Sequence, residues 1–204
     1  LAPIGLLFVY SFWRMEDVFL IREFTTQNYV NIFTYREGMY VRLLGKTILM
    51  AGAITIGAVG LGYPVAYYIS MRMEKHKYSA LFLLMGPYLV NYLLILYAWR
   101  IILEPSGILN YVLVTIGLPR QEWFLWNWWT VIFMDVAAWS PWLVFPMFAS
   151  LEKMEKTLLE AAADLGANPR QAFMRVTLPL SMPGILVATL FVLIPSIGEY
   201  ATAD

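Results

Sequence analysis

At 204 residues the chain is 60% hydrophobic and only 14% charged, and its 14 basic residues balance 14 acidic ones. A soluble domain carries about a quarter charged residues, so this composition belongs to a membrane protein, and the missing basic stripe excludes a nucleic-acid partner. With no cysteine and His76 as the one histidine, disulfides, thiolate chemistry and a multi-histidine metal site are excluded within these residues; no catalytic and no metal-binding residue is expected.

In chain order, the opening "LAPIGLLFVYSFW" lacks the basic region and cleavage site of a signal peptide. It is also shorter than the roughly 20 residues that cross a hydrocarbon core. The expectation is a helix whose first half is missing. A polar stretch over 13–42 follows, and then a long apolar segment over 46–70. Within that segment Ala53 and Gly57, then Ala58 and Gly62, lie four apart, a spacing of small residues that lets helices approach closely in lipid. Gly45-Lys46-Thr47 resembles the end of a phosphate-binding loop, but Tyr40 stands where that motif needs a glycine. No nucleotide site is therefore expected here.

A short charged link, "MRMEKHKY", leads to a third apolar segment over 79–103. A polar and aromatic connection follows, then a fourth segment over 128–150. Trp123, Trp126, Trp128 and Trp129 crowd the start of that fourth segment and predict an interfacial aromatic belt. A fifth segment runs from about 184 to 200, and the end "IPSIGEYATAD" has the character of an arbitrary stop. The chain thus predicts an all-α integral membrane protein with four full spans and one partial span. The expectation is a single transmembrane domain over 1–204, incomplete at both ends. Pro64, Pro87, Pro141, Pro146 and Pro195 fall within apolar segments, where they bend helices or serve ordinary packing. Basic residues divide evenly between the loops of the two sides, so charge alone does not orient the protein.

Between the fourth and fifth segments lies a loop, 151–183, that contains "EAAADLGANPRQAFMRVTLPLSMPG" at 160–184. Thr157 and Glu160 fit a capping box. Leu158, Ala162 and Leu165 form an apolar stripe opposite Thr157, Glu160 and Asp164. Gly166 is placed to stop this helix in the left-handed conformation. Asn168 and Pro169, supported by Gln171, restart a second helix carrying Ala172, Phe173 and Val176. Pro179 is expected to end it, and Pro183-Gly184 to turn the chain back to the membrane. So short a helical pair needs a partner for its stripe, either its own bundle or another protein.

This loop closely resembles the EAA loop of binding-protein-dependent ABC importer permeases, with Glu160, Ala161, Ala162, Gly166, Val176, Leu178 and Pro179 at matching positions. "GYPVAYYIS", "PYLVNYLLILYAWRIIL", "GILN" and "IPSIGEY" extend the resemblance to the spermidine/putrescine-type branch. The resemblance implies a type I importer bundle of five to six transmembrane helices in a bacterial inner membrane. Its cytoplasmic coupling loop would dock on an ABC ATPase dimer through Glu160, Ala161, Ala162, Asp164, Leu165, Gly166, Phe173 and Pro179. ATP and magnesium would belong to that ATPase, and this chain would hold no cofactor. A second, homologous permease subunit would complete the pathway. A periplasmic or lipid-anchored substrate-binding protein would dock on the opposite face, on 13–42 and 104–127.

Charges within spans mark substrate paths. Asp135 lies in the fourth segment, with Trp139 and Trp142 one and two helical turns on; Glu199 ends the fifth. A carboxylate near indole faces suits an organic cation, although Asp135 could equally hydrogen-bond a neighbouring helix. Polyamine is the first expectation for the substrate. An opine, an amino acid or another small solute fits the same branch. A channel or secondary transporter is the alternative class, and the loop speaks against it; a membrane enzyme would have little chemistry to work with.

Overall fold

The computed structural model describes residues 2–16, 19–35, 38–89, 92–122 and 127–198. The chain divides into two compact units, Leu1–Leu49 and Met50–Asp204.

The first unit begins with α1 (Ala2–Tyr10), whose large side chains are exposed, Ile4 and Leu7 each at 68%. The polar stretch that follows contains an antiparallel hairpin, β1 (Trp13–Glu16) and β2 (Phe19–Phe24), then α2 (Gln27–Thr34) and the start of α3 (Met39–Arg72). An isolated two-stranded hairpin is marginal in water, and this one is held by aromatic rings and one amide. Phe12 stacks on Phe24 at 4.9 Å and tilts against Tyr29 at 5.1 Å. The Asn28 Nδ2 donates to the carbonyls of Ser11 and Trp13, both at 2.9 Å. The Arg22 guanidinium lies 5.6 Å from the Trp13 ring centre.

The second unit contains helices and turns, with no strand among its described residues. It contains most of α3, then α4 (Lys77–Met85), a 3₁₀ turn (Gly86–Leu89), α5 (Tyr92–Leu103) and α6 (Ile108–Thr115). The order continues with α7 (Trp128–Glu152), α8 (Lys156–Asp164), α9 (Pro169–Ala172), a π-helical segment (Phe173–Thr177) and α10 (Leu178–Ile197). Four stretches are long and apolar enough to cross a membrane: Met39–Arg72, Leu93–Thr115, Trp128–Glu152 and Pro169–Ile197. Half of the apolar window of Trp128–Glu152 is buried, against 28% in each of the flanking long helices and 17% for Leu93–Thr115. Helix α7 is therefore the centre of this unit, and its partners turn much of their apolar surface outward, as lipid-facing helices do.

Small residues set how closely the helices approach α7. A Cβ on Gly57 would sit 2.7 Å from Cγ2 of Val136, and one on Gly62 would sit 3.3 Å from the Ser140 carbonyl. The stripe predicted from sequence is thus used within the chain, between α3 and α7, and so does not by itself indicate a second subunit. Gly184 does the same for α10: a Cβ there would meet the Pro146 carbonyl at 2.6 Å and the Ser150 Cβ at 2.5 Å. The core around these contacts includes Ile54, Ala58, Leu143, Met147 and Val192. Edge-on ring pairs, Tyr78 with Phe148 and Trp99 with Phe133, fasten α4 and α5 to α7.

Pro141 and Pro146 lie inside α7 without ending it. Pro141 has no N–H for the Ala137 carbonyl, four residues earlier. The Tyr88 hydroxyl, on the 3₁₀ turn, donates to that oxygen at 3.2 Å.

Three expectations are corrected. The third apolar segment, 79–103, is not one helix: α4 gives way at Gly86-Pro87 to the 3₁₀ turn before α5 begins. The apolar stretch of spanning length instead runs through α5 and α6. Pro179 does not end the second helix of the loop, and Pro183-Gly184 does not turn the chain. The helical path is unbroken from Pro169 to Ile197, with Pro183 and Pro195 inside it. Pro179 lies within that path directly after the π turn, where the wider i to i+5 bonding departs from the α geometry that a proline ring obstructs.

Candidate coupling loop and translocation path

The loop over 151–183 opens where α7 ends at Glu152. Helix α8 starts two residues earlier than the predicted capping box requires. Its N-cap is Glu155, so Thr157 lies inside the first turn and its hydroxyl instead reaches Oε2 of Glu155 at 3.3 Å. Glu160 consequently has no capping role and sits exposed on α8. The C-terminus matches expectation. Gly166 adopts φ +81°. Its N–H donates to the Ala163 carbonyl at 2.8 Å, and that of Ala167 donates to Ala162 at 3.0 Å. These are the paired bonds of a Schellman stop. No atom lies within 4 Å of a Cβ built on Gly166, so its requirement for glycine is one of backbone conformation alone.

Asn168 then caps α9 in a complete box. Its Oδ1 accepts from the Gln171 N–H at 2.9 Å, and the Gln171 side chain accepts from the Asn168 N–H at 3.0 Å. The result is a sharp corner between two capped helices. Leu165 stands 88% exposed at its apex and Leu158 is 44% exposed. Ala161 and Asp164 are also exposed, Ala162 is half-buried, and Pro179 is exposed at the base of α10. Phe173 differs from the rest. It is half-buried, with its ring edge-on to Tyr63 at 6.0 Å and Tyr67 at 5.7 Å, both on α3. It anchors the loop rather than contributing to its outer face.

Lys77 at the start of α4 forms an ion pair with Glu152 at the end of α7. That hydrogen bond holds the Lys77 ammonium above its ordinary range. A groove of about 680 Å³ lies between the ends of α7 and α10, lined by Pro146, Ser150, Lys153, Leu158, Pro183 and Val187 among others.

In the span, Asp135 is 1% exposed and belongs to the buried face of α7. Trp139 packs against the core, and Trp142 is half-buried. The spacing of 135, 139 and 142 places them along one side of the helix. Glu199 lies outside the described residues, as do Trp123 and Trp126 of the predicted aromatic belt. Trp128 and Trp129 are 48% and 73% exposed at the start of α7, beside the Asn127 cap.

Sequence reasoning attached no role to Asn110. It is 2% exposed in α6. Its Nδ2 donates to the carbonyls of Glu104 at 3.3 Å and Gln121 at 2.8 Å, and its Oδ1 accepts from the Gln121 N–H at 2.8 Å. Arg120 Nε adds a bond to the Pro105 carbonyl at 2.6 Å. One amide thus closes the connection after α5 into a compact loop. Only the quoted "GILN" hinted at it, because its partners are backbone groups distant in sequence.

A sequence model of a family described as "Binding-protein-dependent transport system inner membrane component" matches residues 59–204. The chain is 35% identical over 181 residues to the spermidine/putrescine transport system permease protein PotB of Haemophilus influenzae, covering 88% of this chain and 62% of that protein. It is 34% identical over 198 residues to PotB of Escherichia coli strain K12, covering 95% of this chain and 70% of that one. The chain therefore spans roughly two thirds of the length of these relatives. Its fold matches a chain in the crystal structure of a bacterial ABC transporter involved in the import of the acidic polysaccharide alginate, with a TM-score of 0.74 at 18% identity, covering 96% of this chain and 68% of that chain. The loop geometry, the bundle around α7 and these matches lead to one assignment: the chain belongs to the family of binding-protein-dependent transport system inner membrane components.

Proposed function

We propose that this chain is the membrane-spanning permease of an ATP-driven importer and that it carries a polyamine such as putrescine or spermidine. Family membership supports the transport role, and the resemblance to the spermidine/putrescine permeases PotB supports the substrate class. A buried carboxylate, Asp135, inside the central span fits a cationic substrate, since a charge held in the bundle interior marks a path for ions or polar solutes. The observation that carries the coupling role is the α8–Gly166–α9 corner, fixed by caps on both sides while Leu165 at its apex is 88% exposed. A rigid corner with an apolar tip fits a groove on another protein. In this reading it faces the cytoplasm and docks on an ABC ATPase dimer, which holds ATP and magnesium. A second permease subunit completes the pathway. A substrate-binding protein docks on the other face, against 13–42 and 104–127.

Three variants in the intact transporter test this. Glu160 and Leu165 are exposed and play no part in the fold, so Glu160→Ala and Leu165→Ser should leave thermal stability within about 0.5 kcal/mol of wild type. Both should lower the amount of ATPase that co-purifies. Asp135→Asn should keep the ATPase bound and lower putrescine and spermidine uptake roughly tenfold, because a hydrogen bond to a charged group contributes about 1.5–3 kcal/mol. Full ATPase recovery with Leu165→Ser would remove the coupling role, and unchanged uptake with Asp135→Asn would remove the cation path.

A further inference from the structure

The helix from Pro169 to Ile197 contains a π turn at Phe173–Thr177, within which the Leu178 N–H bonds the carbonyl of Phe173, five residues back. A π turn is less favourable than the α turn it replaces and persists where surrounding contacts hold it. Here α3 holds it from both ends. At the start, the Phe173 ring lies edge-on against Tyr63 and Tyr67, with interplanar angles of 73° and 85°. Just past the end, the Tyr63 hydroxyl meets Oγ of Ser181 at 2.9 Å, and that Oγ donates to the Leu178 carbonyl at 3.0 Å. Since the serine proton is used on Leu178, the tyrosine is the donor. Tyr63 therefore touches both sides of the π turn, once through its ring and once through its hydroxyl. Thr177, inside the turn, is fully buried, and its hydroxyl has no hydrogen-bond partner among the described residues. That is a further sign that the turn is imposed from outside.

Relaxing a π turn to α geometry changes the helical register by one residue. That would rotate everything before it, namely α9, the Gly166 corner and α8, by about 100° relative to α10. We propose that Tyr63, assisted by Tyr67, is a positioning residue for the coupling loop: by locking the π turn it fixes the direction in which the Gly166 corner is presented, and it delivers displacement of that corner to α3 as well as to α10. This rests on the coupling role proposed above.

These 204 residues hold no cysteine, so once any cysteines elsewhere in the assembly are replaced by serine, a pair introduced at Ala163 on α8 and Leu61 on α3, both exposed, can carry spin labels. In the assembled transporter the wild type should give one narrow distance. Tyr63→Phe, which keeps the ring and removes the hydroxyl, should broaden it, and Ser181→Ala should do the same. The double variant should be no worse than Ser181→Ala alone, since that variant already removes both the bond from Tyr63 and the bond to the Leu178 carbonyl. Solute taken up per ATP hydrolysed should fall about fivefold, the factor matching one hydrogen bond of ordinary strength, while the ATPase stays bound. A narrow distance and normal coupling in Tyr63→Phe, or additive losses in the double variant, would overturn the proposal. Leu165→Ser separates the two readings: if it leaves the ATPase bound, the coupling role itself fails; if it releases the ATPase while Tyr63→Phe is silent, only the present inference fails.

Discussion

A Cβ on Gly184 of α10 would run into α7 at two atoms, the Ser150 Cβ and the backbone oxygen of Pro146. A backbone atom cannot swing aside as a side chain can. Gly184→Ala should therefore cost about 1–3 kcal/mol, as overpacking does, read as a drop in the thermal midpoint of roughly 2–4 °C per kcal/mol. Gly52 is the control. It lies inside α3 with nothing within 4 Å of a built Cβ, so Gly52→Ala should hold or raise the midpoint, by up to about 1 kcal/mol of helix propensity. Asn110 offers a second contrast. Asn110→Leu removes three hydrogen bonds. Each unpaired buried group costs about 1–3 kcal/mol; the bonded backbone groups belong to Glu104 and Gln121, which flank α6 and of which Glu104 is exposed, so water can replace part of the bonding and the loss should sit near the low end. Proteolytic nicking at 104–122 should rise while the midpoint of the whole bundle moves little. Individual residues were legible in the sequence where the cause was local: Gly166 in its left-handed stop, Asn168 with Gln171, and the buried side of α7 at Asp135. They were illegible where the cause was a distant neighbour. Nothing beside Gly184 or Asn110 in the sequence announces the carbonyls they face.

At the scale of elements, the sequence predicted four spans and the corner between α8 and α9, because apolar length and caps are local signals. It misplaced the end of the loop's second helix by treating Pro179 and Pro183-Gly184 as the stops they would be in water. Proline ends a soluble helix because the freed backbone can turn to solvent; a bilayer offers no such alternative, and Pro183 stays inside α10 as Pro146 and Pro195 stay inside their helices. The hairpin at 13–24 was hidden for a different reason. Its strands are short, and the rings that hold it come from beyond it, at Phe12 and Tyr29. The Lys77–Glu152 pair gives a prediction at this scale, since it ties the start of α4 to the end of α7. The hydrogen bond to Glu152 raises the lysine above its ordinary 10.5. A raised folded-state value means that the contribution is fully present below the unfolded pKa and fades as pH climbs through the folded one. The difference in thermal midpoint between wild type and Lys77→Met should stay flat between about pH 6 and 9 and shrink above about pH 10.5. A difference that shrank already between pH 7 and 9 would mean that the pair does not contribute as described.

In the larger, second unit α7 is the helix on which its neighbours pack, and it is poorly able to stand alone. Its two prolines interrupt its own hydrogen bonding, and the Ala137 carbonyl relies on the hydroxyl of Tyr88. This has a consequence for biosynthesis. Chains are made from the N-terminus, so Tyr88, Gly57 and Gly62 have already left the ribosome when α7 emerges. The donor for its orphaned oxygen and the notches for its side chains are waiting in the membrane. Presented by itself, α7 would carry an unpaired carbonyl into hydrocarbon, at a cost of roughly several kcal/mol. When the stretches 1–126 and 127–204 are produced as separate polypeptides, insertion of the second should depend on co-production of the first, and Tyr88→Phe in the first should weaken that rescue. Equal insertion of 127–204 with and without its companion would show that order of synthesis plays no part. If the dependence is found, the sequence encodes a schedule as well as a shape, with each helix arriving only after the groups that will satisfy it.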